Sequence, residues 1–259
     1  MNDLPFDAVV IDLDGTIIGR DEEIALEVLN AVKLLAQHVR VSIVSGREPY
    51  DVLLFAAQLR LDTPQVSDNG AVVLDPASGS PICRFPMMAR QSTRVVNRLD
   101  RYGFKFIATH DNKTFTNLDQ INRWDLARVS ALDLPKDAAE AMVKEFEAEN
   151  DIHVVKAYLP YNDLWAVDFT KAGIDKGSAV RYLAKSYKSS TCRFIAIGDS
   201  YNDIPMLTEC GLAIAMGNSP NEVRDLSDFI APNVESNGLK TAIEEFIFPL
   251  LSNSNSEMP

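Results

Sequence analysis

Cysteine is scarce in this chain and follows no pattern. Cys83, Cys192 and Cys210 are an odd number with no CxxC spacing. That argues against a disulfide framework and a cysteine-bound metal, and it reads as free thiols in a reducing cytoplasm. Histidine is equally sparse. His38, His110 and His153 stand far apart, none at metal-ligand spacing with another, and a lone histidine is more often structural than a ligand. No apolar stretch is long enough to cross a bilayer, and the opening MNDLPFD lacks the basic start and apolar run of a signal peptide. Positive charge is in deficit, with 25 Lys and Arg against 37 Asp and Glu and a net charge of -12. Such a surface repels phosphate backbones and anionic lipid, so neither nucleic acid nor a membrane is an expected partner. An anionic substrate would need positive charge built into its own site.

What the chain does have is core-forming material. Apolar residues make up 46% of its 259 positions, which suits one large domain or a core domain carrying a smaller one. AVVIDLD reads as a buried strand, EEIALEVLNAVKLLAQ as a helix with Asp21 at its N-cap, VSIVSG as a strand and EPYDVLLFAAQLRL as a helix. VSDNGAVVLDP holds a further strand and an Asn-Gly pair, Asn69-Gly70, that reads as part of a hinge region before the insert or as a plain turn. The rhythm returns late with DKGSAVRYLAKSY, FIAIGDS, NDIPMLTEC, GLAIAM and the helix SNGLKTAIEEFIFPLL, before a polar tail, SNSNSEMP, that reads as frayed. This alternation predicts an α/β fold, a Rossmann-like parallel sheet with helices on its faces.

Between about Ser80 and Asp168 the rhythm breaks. PICRFP reads as a strand, ARQSTRVVNRLDRYG as a helix and FKFIATH with KTFTN as a strand pair. PKDAAEAMVKEFEAEN is a second helix, and IHVVKAYL and LWAVDF are two more strands. The expected organisation is a core formed by 1–80 and 169–259, with an α+β module inserted at 81–168.

In an open parallel sheet, ligands bind beyond the carboxyl ends of the strands. Asp12 and Asp14, Ser45, and Asp199 all stand at such ends. Each has a plain reading when taken singly. Asp-Gly and Ser-Gly after a strand make turns, Lys176 is a solvated lysine at a helix start, and Asp199 and Asp203 cap the next helix. A calcium loop beginning at Asp12 is rejected, because Ile17 stands where its glycine belongs and a strand precedes it.

It is the ordered coincidence that carries meaning: DLDGT, then SGR, then a Lys-Gly pair heading a helix, then GDSYND. Together with VVIDLDGTI, AIGDSYNDIPML and GLAIAMGNSPNEVRDLSDFIAPNVESNGL, they resemble the haloacid dehalogenase-like phosphohydrolases. The resemblance is to the Cof-type branch, which carries an α/β cap between its third strand and its motif lysine. It implies a phosphatase with Asp12 as nucleophile, Asp14 as general acid and then base, and Mg²⁺ held by Asp12, the Asp14 carbonyl and Asp199. It assigns Ser45, Gly46, Lys176 and Asn202 to the phosphate, and gives Asp203 and Arg47 supporting roles. Serine at position 45, where many relatives have threonine, donates the same hydrogen bond. The implied partner is a small-molecule phosphate ester such as a sugar phosphate or phosphoglycolate, acted on by a monomer or homodimer.

Substrate choice is expected in the cap, with Asn112, Lys113, Arg123, Lys156 and Tyr161 as candidate contacts. Trp124 and Trp165 read as packing residues. A phosphomutase is the alternative, and would use Arg84, Arg90, Arg94, Arg98 and Arg101 for a second phosphate. The last four also fall at the spacing of one solvated helix face. A non-catalytic binding protein would be expected to lose Asp12 or Asp14, and this chain keeps both.

Overall fold

The computed structural model describes residues 6–253. The first five residues of MNDLPFD and most of the tail SNSNSEMP lie outside the described residues. β1 (Ala8–Ile11), α1 (Leu26–Leu35), β2 (Arg40–Ile43), α2 (Pro49–Leu59) and β3 (Gln65–Ser67) alternate as expected. β4 (Val72–Leu74) and β5 (Pro81–Arg84) fold back beside β3 as an antiparallel ribbon. The irregular insert comprises α3 (Ala89–Tyr102), β6 (Phe106–His110), β7 (Lys113–Phe115), β8 (Arg128–Leu134), α4 (Lys136–Glu147), β9 (Ile152–Leu159) and β10 (Leu164–Lys171). Alternation resumes with α5 (Lys176–Ser186), β11 (Phe194–Gly198), α6 (Ile204–Glu209), β12 (Leu212–Ala215), α7 (Asn221–Arg224) and β13 (Phe229–Ile230). α8 (Gly238–Thr241), a π-helical turn (Ala242–Ile247) and α9 (Phe248–Asn253) close the chain.

The core sheet runs β13-β12-β11-β1-β2, and every neighbouring pair is parallel. β1 is apolar along its length because both of its faces are covered. Val9 and Ile11 pack with Val28, Val32 and Phe55 on one side. Ala8 and Val10 pack with Val180, Leu183 and Met206 on the other. From β1 the chain winds outward to β2 in one direction and, later, from β11 to β13 in the other. The order therefore reverses between β1 and β11, which opens a crevice at their carboxyl ends.

The insert forms its own antiparallel sheet, β7-β6-β8-β10-β9. One face carries α3 and α4, where Val95, Leu99, Met142 and Phe146 bury against Val129, Ala131, Val167 and Phe169. The other face looks back on the core, since Ile107, Leu132 and Ala166 line a cavity together with Asp12.

Three local readings change. PICRFP, read as the first strand of the insert, is β5 and pairs with β4 in the ribbon beside β3, because its backbone partners come from that neighbouring strand rather than from the insert's sheet. β8, the central strand of the insert, was not foreseen. Its apolar Val129 and Ala131 alternate with Arg128 and Ser130, and such a short mixed run does not declare itself in the sequence. Asp21 is not an N-cap either. α1 begins at Leu26 after Ala25, because Glu22 takes a left-handed φ of 56° and turns the chain toward Arg47, to which its carboxylate is bonded.

Phe146 is fully buried and meets Phe169 edge-on at a centroid distance of 4.7 Å. Phe146→Ala should lower stability by about 3–5 kcal/mol, read as a fall in the urea midpoint.

Candidate active site

Asp12 follows the last residue of β1, and its amide donates to the Ile197 carbonyl of β11 at 2.9 Å. That bond fixes it at the reversal point of the sheet. Its side chain is only 4% exposed, and Oδ1 accepts from Lys176 Nζ at 2.6 Å. The same ammonium donates to Asp203 Oδ1 at 2.6 Å. Lys176 heads α5, whose start is set by a capping box: the Asp175 carboxylate accepts from the Ser178 amide, and the Ser178 hydroxyl accepts from the Asp175 amide. Asp203 Oδ2 accepts from the amides of Asp199 and Ser200, both at 2.9 Å. Asp203 thus braces Lys176 and shapes the loop that carries Asp199.

The electrostatics follow from burial. Burial, then the Asp203 carboxylate, push Asp12 up to about 8 against the pull of Lys176. Asp199 is raised well above the usual carboxylate range by burial and then by Asp12 and Asp203. Burial disfavours the Lys176 ammonium, but Asp12 and Asp203 outweigh it and hold the lysine above its ordinary value. One cation therefore faces three close carboxylates. Oxygens of Asp12, Asp199 and Asp203 lie within 4.8 Å of one another, and Asp199 Oδ1 is buried without a hydrogen-bond partner. An all-oxygen set short of positive charge, with one orphaned oxygen, fits a hard divalent cation.

The other expected residues gather here, with some unexpected partners. Ser45 is fully buried after β2, and its Oγ accepts from the Arg47 amide at 3.1 Å. Arg47 grips Asp14 with both prongs of its guanidinium, Nη2 at 2.7 Å and Nε at 3.0 Å. It also reaches Glu22 and, at 3.4 Å, Asp51. Asn202 Nδ2 donates to Asn69 Oδ1 at 3.1 Å. Gly15 has φ +78°, and a Cβ there would stand 2.1 Å from Asp199 Oδ2. Only glycine lets this turn lie against the carboxylate.

Four functional-site residues were missed. Asn218 Nδ2 donates to Asp199 Oδ2 at 2.8 Å and to the Gly15 carbonyl at 3.0 Å, so it ties the first acidic loop to the last. Its MGNS segment was noted only as part of the family likeness. The other three form a buried bridge between insert and core. Arg128 of β8 donates from Nε to Asp68 Oδ1 and from Nη1 to Asp168 Oδ1, each at 3.1 Å. Asn69 Nδ2 donates to Asp168 Oδ2 at 2.6 Å. Burial works against the Arg128 charge, and Asp168 and Asp68 more than compensate. Asp68 and Asn69 both take a φ of 52°. The Asn-Gly pair is therefore more than a turn, since it joins the insert's attachment point to Asn202.

A cavity of about 290 Å³ lies over Asp12 and Asp14, lined from the core side by Gly46, Arg47 and Asn202 and from the insert by Arg128, Leu132 and Tyr161. Of the proposed cap contacts, Tyr161 lines it. Lys156 instead sits over the Trp165 and Tyr201 rings and pairs with Glu140. Arg123 pairs with Asp125, and Lys113 is exposed at the β6–β7 turn. Trp124 and Trp165 are partly buried against the insert's core. None of Arg84, Arg90, Arg94, Arg98 and Arg101 lines the cavity; Arg84 pairs with Asp111, and Arg90, Arg94 and Arg98 pair with Asp151, Glu149 and Glu145.

Comparison with known proteins agrees with this geometry. A family model for haloacid dehalogenase-like hydrolases matches residues 9–153 and 118–243. A phosphoglycolate phosphatase of Methanobrevibacter smithii is 25% identical, over 93% of this chain and 98% of its own. A 5-amino-6-(5-phospho-D-ribitylamino)uracil phosphatase of Bacillus subtilis is 24% identical, over 92% and 96%. The solved structure of a haloacid dehalogenase-like hydrolase from B. subtilis superposes with a TM-score of 0.81 at 20% identity, covering 93% of this chain and 99% of that one. With carboxylates at the sheet reversal, a lysine heading the helix after an inserted α+β cap, and a family match spanning nearly its whole length, the chain belongs to the haloacid dehalogenase-like hydrolases of the Cof type.

Proposed function

We propose that the protein is a Mg²⁺-dependent phosphomonoesterase, acting on a small phosphorylated metabolite through an aspartyl-phosphate on Asp12. The observation that carries this reading is the placement of Asp12: a buried carboxylate at the sheet reversal, bonded to Lys176, beneath a cavity lined by both the core and the insert. Rigid placement of this kind is what in-line attack on phosphorus needs. An Asp12 oxygen attacks phosphorus, the ester P–O bond breaks, and Asp14 gives its proton to the departing alcohol. Asp14 then takes a proton from water, the water oxygen attacks phosphorus, and the P–O bond to Asp12 breaks to release orthophosphate. Lys176, Ser45 and the Gly46 amide would hold the equatorial oxygens, where charge spreads during transfer. Asn202 would contact the phosphate or its shell, with Asp203 orienting Lys176.

Hydrolases of this family generally use a divalent metal. Here Asp12, Asp199 and the Asp14 carbonyl would hold Mg²⁺, which when bound supplies the charge neutralisation that a dianionic phosphate needs next to carboxylates. Asn218 would orient Asp199 for that task. The segment 81–168 would act as the cap, excluding water and contacting the leaving group. The arginines paired away from the cavity favour hydrolysis over a mutase, which must hold a second phosphate.

Phosphate release from a panel of small esters should require Mg²⁺ and stop with chelator. Asp12→Asn should reduce kcat by at least about 1,000-fold with an unchanged circular dichroism spectrum, and substantial residual turnover would refute the nucleophile assignment. Asp14→Asn should leave at most slow phosphorylation of Asp12, measured by intact mass after a single exposure to substrate. Lys176→Met, which strands two buried carboxylates, should cost about 3–5 kcal/mol in chemical unfolding.

A further inference from the structure

The charge arrangement of the cavity bears on what leaves with the phosphate, an inference that rests on the phosphatase reading above. Two guanidinium groups line the cavity, Arg47 and Arg128, and both are already committed. Arg47 is shared among Asp14, Glu22 and Asp51, and Arg128 lies between Asp68 and Asp168. Lys176 is turned to Asp12 and Asp203, at the phosphate end. Lys156, one of the candidate cap contacts, faces Glu140 and two aromatic rings. Meanwhile Glu22, Glu48 and Asp51 add carboxylates to the lining, two of them on the same guanidinium as Asp14. Glu48 is bridged to the cap by the Thr114 hydroxyl.

The cap contributes the opposite character. Ile107, Leu132, Ala157, Leu159 and Ala166 present an aliphatic wall. A leaving group bearing a carboxylate or second phosphate would exchange water for that wall and for carboxylates that outnumber the guanidinium they share, with no uncommitted cation among the described lining residues to receive it. A hydroxylated ring would lay its carbon face on the wall and donate its O–H or N–H groups to the acidic side. The cavity volume of about 290 Å³ is at the small end for ligand pockets, which run from about 300 to 1,000 Å³. We infer that the enzyme selects phosphate esters of small alcohols that are uncharged or cationic beyond the phosphate, and discriminates against those carrying a second anionic group.

The test uses the full chain with Mg²⁺ at neutral pH and p-nitrophenyl phosphate as reporter. Isosteric esters compete for the site: glycerol 3-phosphate against 3-phosphoglycerate, and glucose 1-phosphate with glucosamine 1-phosphate against glucuronic acid 1-phosphate. The inhibition constants of the neutral and cationic esters should be at least about 10-fold lower than those of their carboxylate counterparts. In Glu48→Gln, with inhibition constants read against the variant's own reporter rate, that gap should narrow about 3-fold. Equal or tighter binding of the carboxylate esters would overturn the inference while leaving the phosphatase reading intact, and so would a gap unchanged in Glu48→Gln. No hydrolysis of the reporter or of any ester by folded protein would overturn both.

Discussion

The Lys176 ammonium, buried between Asp12 and Asp203, is the interaction on which the rest of this structure depends. Removing an ammonium and two carboxylates from water is costly, and the cost is offset only when geometry and hydrogen bonds are good. Here both distances are 2.6 Å. Asp203 is further held by two backbone amides, and the lysine stands at a capped helix start. Three separate stretches of chain, the ends of β1 and β11 and the start of α5, are thereby fixed in one register. The remaining imbalance, more carboxylate than cation, is what makes the site receptive to a metal and then to a phosphate.

A buried arginine does for the insert what the lysine does for the core. Arg128 belongs to the central strand of the inserted sheet, yet its partners lie on both sides: Asp68 just after β3 in the core and Asp168 on β10 of the insert. Asn69 extends this bridge to Asn202 and so to the loop carrying Asp199. The insert and the loop carrying Asp199 are therefore joined by direct hydrogen bonds. Because each polar group in such a bridge is buried, removing one leaves its partner unpaired, which is far costlier than losing an exposed pair.

On the proposed reading, the Lys176 arrangement also shows how an acidic protein could accept an anion. Net charge opposes phosphate at a distance, but the local field is set by one ammonium, ordered backbone amides and the place for a metal. The same bookkeeping leaves little positive charge farther along the cavity, where the arginines are already engaged.

The sequence by itself determined the alternating α/β core, the presence of an irregular insert within it, and the placement of Asp12, Asp14, Ser45, Lys176 and Asp199 at strand ends or a helix start, because each follows an apolar strand or heads a helix with a local signal. It also carried the family likeness, since the motifs are short and contiguous. Tertiary structure alone decided the rest. β8 is half polar, so its periodicity was weak until the cap sheet and cavity gave it two faces. Asp68, Arg128 and Asp168 are far apart in the chain and look like a turn, a basic residue and a strand end. Their meaning is an ion bridge that exists only once two sheets meet. Arg47 could be placed beside Ser45 from its motif, but only folding could show that its charge is spent on Asp14, Glu22 and Asp51. Local signals are written along the chain, whereas the pairing of buried charges depends on which segments burial brings together.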